Sequence, residues 1–284
     1  MLNNKIAVIG AGLMGNGIAQ ACANAGYTVV NIDPFEIALE KAQATMNTLY
    51  DKKVAKGSLS VERKTQILQH ISFSKHFEDV KGAALIIEAV PEKIELKKEV
   101  FQKLDILADK DSIIISNTSG LSISEMASVT SRPDQVMGAH FFYPAPVMKL
   151  LELIRGLQTS DKTYHFVKEF AISIGKEVVD APEYPGFIVN RLLVLMQNEA
   201  AFLVMEGCQP KDVDTAMKLG TNHPMGPLEL ADFVGVDIVL ATITGIYSGF
   251  KDSKYRPCPL LENMVKAGYL GRKSGRGFYD YGEK

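Results

Sequence analysis

The 284-residue sequence contains no tryptophan and only three cysteines, Cys22, Cys208 and Cys258. Because they are odd in number, far apart and without a C-x-x-C pair, they predict neither a disulfide framework nor a thiolate metal site. No cluster of His, Asp or Glu has the spacing of metal ligands. The charge is nearly balanced, with 31 Lys and Arg against 33 Asp and Glu. Without a basic surplus, neither nucleic acid nor an anionic membrane is expected as a partner.

Long apolar runs are also scarce. The longest of the later ones, residues 187–205, contains Asn190, Arg191 and Glu199, which would be costly at the centre of a bilayer. We therefore predict a buried helix there and no membrane span. The apolar start and Ala21-Cys22-Ala23 resemble a secretory signal, but cleavage there would discard a glycine-rich motif. A cytoplasmic location is expected, because the few scattered cysteines suit a reducing compartment.

The first part of the sequence predicts a βαβ unit that binds a dinucleotide. A short apolar run precedes the motif GAGLMG at residues 10–15, and a helical stretch and a second apolar run up to Ile32 follow. In this motif Gly10 permits a tight turn, Gly12 lets the backbone approach a pyrophosphate, and Gly15 allows close packing of helix and strand. The helix N-terminus attracts the anion.

Asp33 follows the second predicted strand and favours NAD as the coenzyme. A carboxylate at this position accepts hydrogen bonds from the adenosine ribose and repels a 2′-phosphate. The next residues, Pro34 and Phe35, offer no arginine for that phosphate. NADP is not excluded, because one residue sets only part of the preference. A helix cap ahead of Pro34 is a second role that Asp33 could fill.

Alternating strands and helices up to about Asp180 predict an α/β fold of the Rossmann type, with a doubly wound, mostly parallel sheet. A long helical pair is predicted over residues 35–69, interrupted at Gly57. Two prolines and a glycine in residues 181–186 mark a boundary. We therefore predict a nucleotide-binding domain over residues 1–184 and an all-α domain over residues 185–284.

Ser119, His140 and Glu152 predict a proton-transfer site. Ser119 and His140 each follow a predicted strand and are expected at the carboxyl edge of the sheet, where ligands of open α/β sheets bind. Imidazole changes charge near neutral pH, which suits a general base. Glu152 stands in an apolar run, where a carboxylate needs a partner such as His140. A structural histidine and an outward-facing glutamate are the ordinary alternatives.

Other polar residues are weaker candidates. Asn190 stands in the first turn of the helix after Pro185-Gly186 and is expected to face the cleft between the domains. Lys52, Lys53 and Lys56 crowd one helical arm and could meet phosphates, although a solvated helix face is the commoner explanation. The segment around His223 is predicted to be mainly a structural turn.

Six motifs make the sequence resemble the short-chain L-3-hydroxyacyl-CoA dehydrogenases, particularly the bacterial 3-hydroxybutyryl-CoA dehydrogenases. The resemblance covers nearly the whole chain. The motifs are GAGLMG from Gly10, SNTSGLSIS from Ser116, HFFYPAPVMKLLELI from His140, PGFIVNRLL from Pro185, NHPMGPLEL from Asn222 and GRKSGRGFYDY from Gly271.

The resemblance implies that a nicotinamide coenzyme and a His-Glu pair interconvert (S)-3-hydroxybutyryl-CoA and acetoacetyl-CoA. The implied active site consists of Ser119, His140, Glu152 and Asn190. Glu92 and Lys97 are implied to lie near the nicotinamide. The predicted cofactor residues are then Gly10, Gly12, Leu13, Met14, Gly15, Asp33, Glu92, Lys97 and Asn117. Coenzyme A contacts are expected from Ser119, Lys52, Lys53 and Lys56, and a homodimer through the helical domain.

The chain departs from the family pattern at two positions. Tyr143 stands where the family commonly has asparagine, and Gly120 stands where it has a second serine. These departures leave the acyl chain length open. One alternative is a dehydrogenase for free 3-hydroxy acids, but such enzymes use a lysine where this chain has Asn190-Arg191. A non-catalytic dinucleotide-binding protein is another, and the intact set of Ser119, His140 and Glu152 argues against it.

Overall fold

The computed structural model describes residues 4–282. The chain divides into two compact units, Met1–Glu183 and Tyr184–Lys284. Over residues 4–282, the first unit contains the sheet and six α-helices, and the second contains five α-helices.

The first unit is organised around one eight-stranded sheet. Its strands are β1 Lys5–Ile9, β2 Thr28–Ile32, β3 Ile71–Ser74, β4 Leu85–Glu88, β5 Ile113–Ser116, β6 Val136–Phe141, β7 Leu150–Arg155 and β8 Glu177–Ala181. They lie in the order β3-β2-β1-β4-β5-β6-β7-β8. All neighbours from β3 to β6 are parallel, β7 is antiparallel to β6, and β8 is parallel to β7. The predicted Rossmann-type, mostly parallel sheet is confirmed.

Helices connect these strands. They are α1 Leu13–Asn24, α2 Glu36–Ala55, α3 Val61–Gln69, α4 Ile94–Leu107, α5 Ile123–Ala127 and α6 Asp161–Ser173. The predicted helical pair corresponds to α2 and α3, and the break follows from local chemistry. Gly57 has a φ of +68°, and the Ser60 hydroxyl accepts a hydrogen bond from the Arg63 amide at 3.1 Å to start α3. Residues 6–9 of β1 and residues 85–87 of β4 are apolar and buried, as expected for parallel strands that are covered on both faces.

The second unit is helical. Its helices are α7 Val189–Met205, α8 Pro210–Thr221, α9 Pro227–Val234, α10 Val236–Phe250 and α11 Pro259–Lys266. Three of them begin with proline, whose fixed φ suits the first helical position. Ala201, Ile243 and Leu261 are fully buried in the core that α7, α10 and α11 share. Within residues 4–282 no single helix is long and apolar enough to span a bilayer, and α9 with α10 meets that test only as a pair bent by 101°.

Candidate active site

The loop between β1 and α1 is shaped for a dinucleotide. Gly10 has a φ of +100°, and a Cβ on Gly15 would lie 1.9 Å from the Gly10 carbonyl oxygen, so neither position admits a side chain. Gly12 is the N-cap of α1, and apart from its own residue and its immediate chain neighbours nothing lies within 4 Å of the place its Cβ would occupy. A phosphate can therefore approach this backbone and the first turn of α1, which contains Leu13 and Met14. The residues present fit a dinucleotide.

Asp33 follows β2, and its carboxylate is held by backbone amides. Oδ2 accepts a hydrogen bond from the Ala11 amide at 2.8 Å, and Oδ1 accepts one from the Phe35 amide at 3.0 Å. The N-cap of α2 is Phe35, so the predicted helix-capping role of Asp33 is wrong. The carboxylate instead connects the glycine loop, through the Ala11 amide, to the segment between β2 and α2.

His140 and Glu152 form a buried pair. They are directly opposite in the antiparallel register of β6 and β7, where side chains share one face of the sheet. His140 Nδ1 lies 2.7 Å from Glu152 Oε2, and the two side chains are only 8% and 1% exposed. The strand β6 extends to Phe141, so His140 lies within it rather than after it. A neutral imidazole that donates its Nδ1 proton to Glu152 carries its lone pair on Nε2, as a general base requires.

Glu92 organises the loop that follows β5. Its Oε1 accepts hydrogen bonds from the Thr118 hydroxyl at 2.6 Å, the Ser119 amide at 2.7 Å and the Ser119 hydroxyl at 3.1 Å. Its Oε2 lies 3.3 Å from Lys97 Nζ on α4. The structure thus brings Glu92, Lys97 and Ser119 together.

Lys97 has a second partner, Glu88, that was not predicted from the sequence. Lys97 Nζ lies 2.6 Å from Glu88 Oε1, and both side chains are buried. The Ser116 hydroxyl donates to Glu88 Oε2 at 2.5 Å. A signal for Glu88 was present, because it ends the apolar run of β4 and a carboxylate there needs a partner.

A cleft of about 320 Å³ opens at the carboxyl edge of the sheet. The predicted site residues that line it are Met14, Glu92, Asn117, Ser119 and His140, together with Tyr143. The Asn117 side-chain oxygen accepts a hydrogen bond from the Phe141 amide at 2.9 Å and so joins the end of β5 to β6. Glu152 and Lys97 do not line this cleft, but each contacts a residue that does: Glu152 contacts His140, and Lys97 contacts Glu92.

The remaining candidates are not brought together with this group. Lys52 and Lys53 are in the last turn of α2 and Lys56 is its C-cap, and none of the three lines the cleft. Asn190 is the second residue of α7 in the second unit, so its predicted role stays a prediction. Asn222 is the left-handed C-cap of α8 at φ +57°, and the chain bends at residues 224–225 before α9 begins. Among residues 4–282, no group of three or more His, Cys, Asp or Glu could hold a metal ion.

Comparison with known proteins gives the same picture. Residues 5–184 match the family 3-hydroxyacyl-CoA dehydrogenase, NAD binding domain, and residues 186–281 match 3-hydroxyacyl-CoA dehydrogenase, C-terminal domain. The chain is 48% identical over 278 residues to 3-hydroxybutyryl-CoA dehydrogenase of Clostridioides difficile, covering 98% of this chain and 99% of that protein. The corresponding enzyme of Bradyrhizobium diazoefficiens is 46% identical, with 98% and 95% covered.

A solved structure agrees. The crystal structure of (S)-3-hydroxybutyryl-CoA dehydrogenase PaaH1 from Ralstonia eutropha superposes with a TM-score of 0.95 at 46% identity and covers 99% of each chain. The glycine loop is therefore that of an NAD-binding domain. The chain belongs to the 3-hydroxyacyl-CoA dehydrogenase family and is an oxidoreductase.

Proposed function

We propose that this enzyme interconverts (S)-3-hydroxybutyryl-CoA and acetoacetyl-CoA, with His140 and Glu152 as the proton-transferring pair. One observation carries the proposal: the buried His140–Glu152 contact of 2.7 Å reaches a cleft that Ser119 also lines. Met14, in the first turn of α1, lines the same cleft. The dinucleotide loop and the proton-transfer pair are therefore neighbours.

His140 accepts the proton of the substrate's 3-hydroxyl on Nε2 during oxidation and returns it during reduction. Glu152 keeps the imidazole in the required tautomer and compensates its positive charge. Ser119 donates a hydrogen bond to the reacting oxygen, and Asn190 orients the substrate. A coenzyme bound at the glycine loop would accept the C3 hydride as NAD⁺ in oxidation and would donate a hydride as NADH in reduction.

NADH is the proposed coenzyme in preference to NADPH. The Asp33 carboxylate is held in place by the amides of Ala11 and Phe35, at 2.8 and 3.0 Å. A fixed negative charge at the end of β2 favours two ribose hydroxyls and repels a 2′-phosphate. The coenzyme A phosphates are proposed to meet Lys52, Lys53 and Lys56, which are grouped at one end of α2.

A homodimer is proposed as the assembly. The resemblance suggests it, and the second unit leaves large apolar side chains exposed on three of its helices. Examples are Leu192 on α7, Leu219 on α8 and Phe233 on α9. Exposed apolar area of this kind is available to be buried by a second copy of the chain. Light scattering after size-exclusion chromatography should give twice the chain mass of 31.1 kDa, and a monomer would contradict the proposal.

The function is tested by the loss of NADH absorbance when acetoacetyl-CoA is added to the purified protein. Parallel reactions replace NADH with NADPH and acetoacetyl-CoA with free acetoacetate. Rapid oxidation of NADH by the thioester alone supports both the substrate and the coenzyme. Activity on free acetoacetate would favour a 3-hydroxy acid dehydrogenase instead. No oxidation of either coenzyme, despite NADH binding, would overturn the proposal.

A further inference from the structure

A buried ion pair lies beneath the cleft. Glu88 is the last residue of β4 and Lys97 is in the first turn of α4, and their side chains are 0% and 1% exposed. Taking two charges out of water costs nearly as much free energy as their attraction returns, so such a pair contributes little to stability. The pair is better explained by the groups that it connects.

The Glu88 carboxylate contacts three segments. Besides Lys97, its Oε1 accepts a hydrogen bond from the Val90 amide at 2.7 Å, in the loop after β4. Its Oε2 accepts one from the Ser116 hydroxyl at 2.5 Å, at the end of β5. The Ser116 oxygen in turn accepts a hydrogen bond from the Thr118 amide at 3.1 Å. Glu88 therefore holds the start of the loop that contains Ser119.

Lys97 connects Glu88 to Glu92, which lines the cleft. Its ammonium lies between buried Glu88 at 2.6 Å and Glu92 at 3.3 Å, and the Glu92 side chain is 40% exposed. The other Glu92 oxygen binds the Ser119 amide at 2.7 Å and the Ser119 hydroxyl at 3.1 Å. The shorter amide contact anchors the backbone of Ser119. The longer hydroxyl contact is the one that can be exchanged for the reacting oxygen.

We infer that Glu88 is a positioning residue of the dehydrogenase site: by holding Lys97 and Ser116 it fixes Glu92 and, through Glu92, the Ser119 hydroxyl. This inference rests on the role of Ser119 in the proposed function. Without the Glu88 charge, Glu92 is the one remaining carboxylate within residues 4–282 that forms an ion pair with the buried Lys97. The ammonium then draws the Glu92 carboxylate away from the loop, and Ser119 loses its anchor.

The first test is Glu88→Gln, measured by steady-state reduction of acetoacetyl-CoA. A glutamine keeps the size of the side chain and removes its charge. We expect kcat to fall roughly 10- to 100-fold, because a displacement of about 1 Å at a catalytic group has an effect of that size. KM for acetoacetyl-CoA and the Kd for NADH, from fluorescence titration, should change less than about threefold, because the binding surfaces stay in place. An unchanged kcat would overturn the inference.

The double variant Glu88→Gln/Lys97→Met separates positioning from a structural role. Removing both buried charges leaves no unpaired ion, so the melting temperature should recover relative to Glu88→Gln. In this variant no unpaired ammonium draws Glu92 away from the loop, but Glu92 Oε2 has also lost the cation that orients it, so kcat should stay below that of the wild type. Recovery of kcat together with the melting temperature would show that the ion pair is only structural.

Ser116→Ala and Asp105→Asn complete the set. Ser116→Ala breaks the second link from Glu88 without leaving an unpaired ion, and it should lower kcat several-fold even if Glu88→Gln does not fold. Asp105 lies on the same helix α4 and forms a half-buried ion pair with Arg132 at 2.8 Å, and neither residue lines the cleft. Its asparagine variant should lower the melting temperature and leave kcat unchanged.

The wild-type enzyme in the same assay keeps the two proposals apart. Wild-type protein without turnover would overturn the proposed function and this inference with it. Normal wild-type turnover, with Glu88→Gln and Ser116→Ala both as active as the wild type, would leave the function standing and overturn only the positioning role.

Discussion

The two units both bury carboxylates, but the partners of these carboxylates differ. In the first unit Glu152 pairs with His140 and Glu88 pairs with Lys97, so each carboxylate faces an ionisable side chain. In the second unit Asp214, at the N-terminal part of α8, accepts hydrogen bonds from the Leu228 and Glu229 amides at 2.8 and 2.9 Å. There the carboxylate caps the start of α9.

Asp232 in the second unit repeats that pattern. It accepts hydrogen bonds from the Phe278 and Tyr279 amides, both at 2.9 Å, while the Tyr279 hydroxyl donates to Asp214 at 2.7 Å. Together the two aspartates hold the last described segment of the chain. Burial raises the pKa of Asp232. A backbone amide cannot change its charge, whereas an imidazole can. Burial alone therefore does not distinguish a reactive carboxylate from a structural one. The group that the carboxylate binds makes the distinction.

The largest effect is expected from His140→Gln, which removes the ionisable partner and keeps a donor for Glu152. Turnover should fall about 10²- to 10⁴-fold, because the general base is lost. The affinity for NADH should be nearly unchanged, since the dinucleotide loop is intact. Steady-state kinetics and NADH fluorescence titration measure the two quantities. Full activity of this variant would remove His140 from the mechanism.

Asp214→Asn should give the opposite result. One amide oxygen can still accept a hydrogen bond, but the new NH₂ group faces a backbone N–H or a tyrosine hydroxyl. We expect the free energy of unfolding to fall by about 2–4 kcal/mol, because a buried donor loses its charged acceptor. Denaturant unfolding measures this loss. Turnover per folded molecule should remain that of the wild type. A drop in kcat without a drop in stability would contradict the structural role that we assign to the buried carboxylates of the second unit.

Asp33→Ala tests an exception to the comparison, because the partners of Asp33 are backbone amides and yet we propose that it binds the coenzyme. The loss of its charge should weaken NADH binding and relax the rejection of NADPH. We expect the ratio of kcat/KM for NADH over NADPH to fall about tenfold, which corresponds to about 1.4 kcal/mol. The control is Glu36→Ala, an exposed acid three residues later that pairs with Lys75. An unchanged ratio in Asp33→Ala would place this residue with the structural carboxylates.

The sequence allowed the main parts of this site to be predicted. The glycine loop, the mostly parallel sheet and the helical second unit follow from local patterns of glycine, apolar runs and helix-forming residues. His140 and Glu152 could be proposed as partners because an apolar strand cannot bury a lone carboxylate. Their direct opposition depends on the antiparallel register of β6 and β7, which the spacing of twelve residues does not determine.

Glu88 illustrates what could not be predicted. The same argument about a buried carboxylate applies to the end of β4, but its partner Lys97 stands on a charged helix with several lysines. Which lysine turns inward depends on the rotation of α4 over the sheet, and that rotation follows from packing in three dimensions. The bonds from Glu92 to Thr118 and Ser119 are likewise set by the tertiary course of two loops.

The smallest effect is expected from Asp105→Asn, and it depends on pH. Burial raises the pKa of Asp105, but hydrogen bonds from Ser131 and Arg132 outweigh burial and hold that pKa below its ordinary value. The folded state therefore prefers the charged carboxylate. The contribution of this charge to the free energy of unfolding is complete above the unfolded pKa of about 3.9 and is lost as pH falls through the lower folded value.

At pH 7 the variant should be less stable by about 1 kcal/mol. Denaturant unfolding at pH 7 and pH 3 should show this difference shrinking at the lower pH. A difference that is constant with pH would mean that the charge of Asp105 does not contribute, and that its partner Arg132 acts like the backbone amides of the second unit.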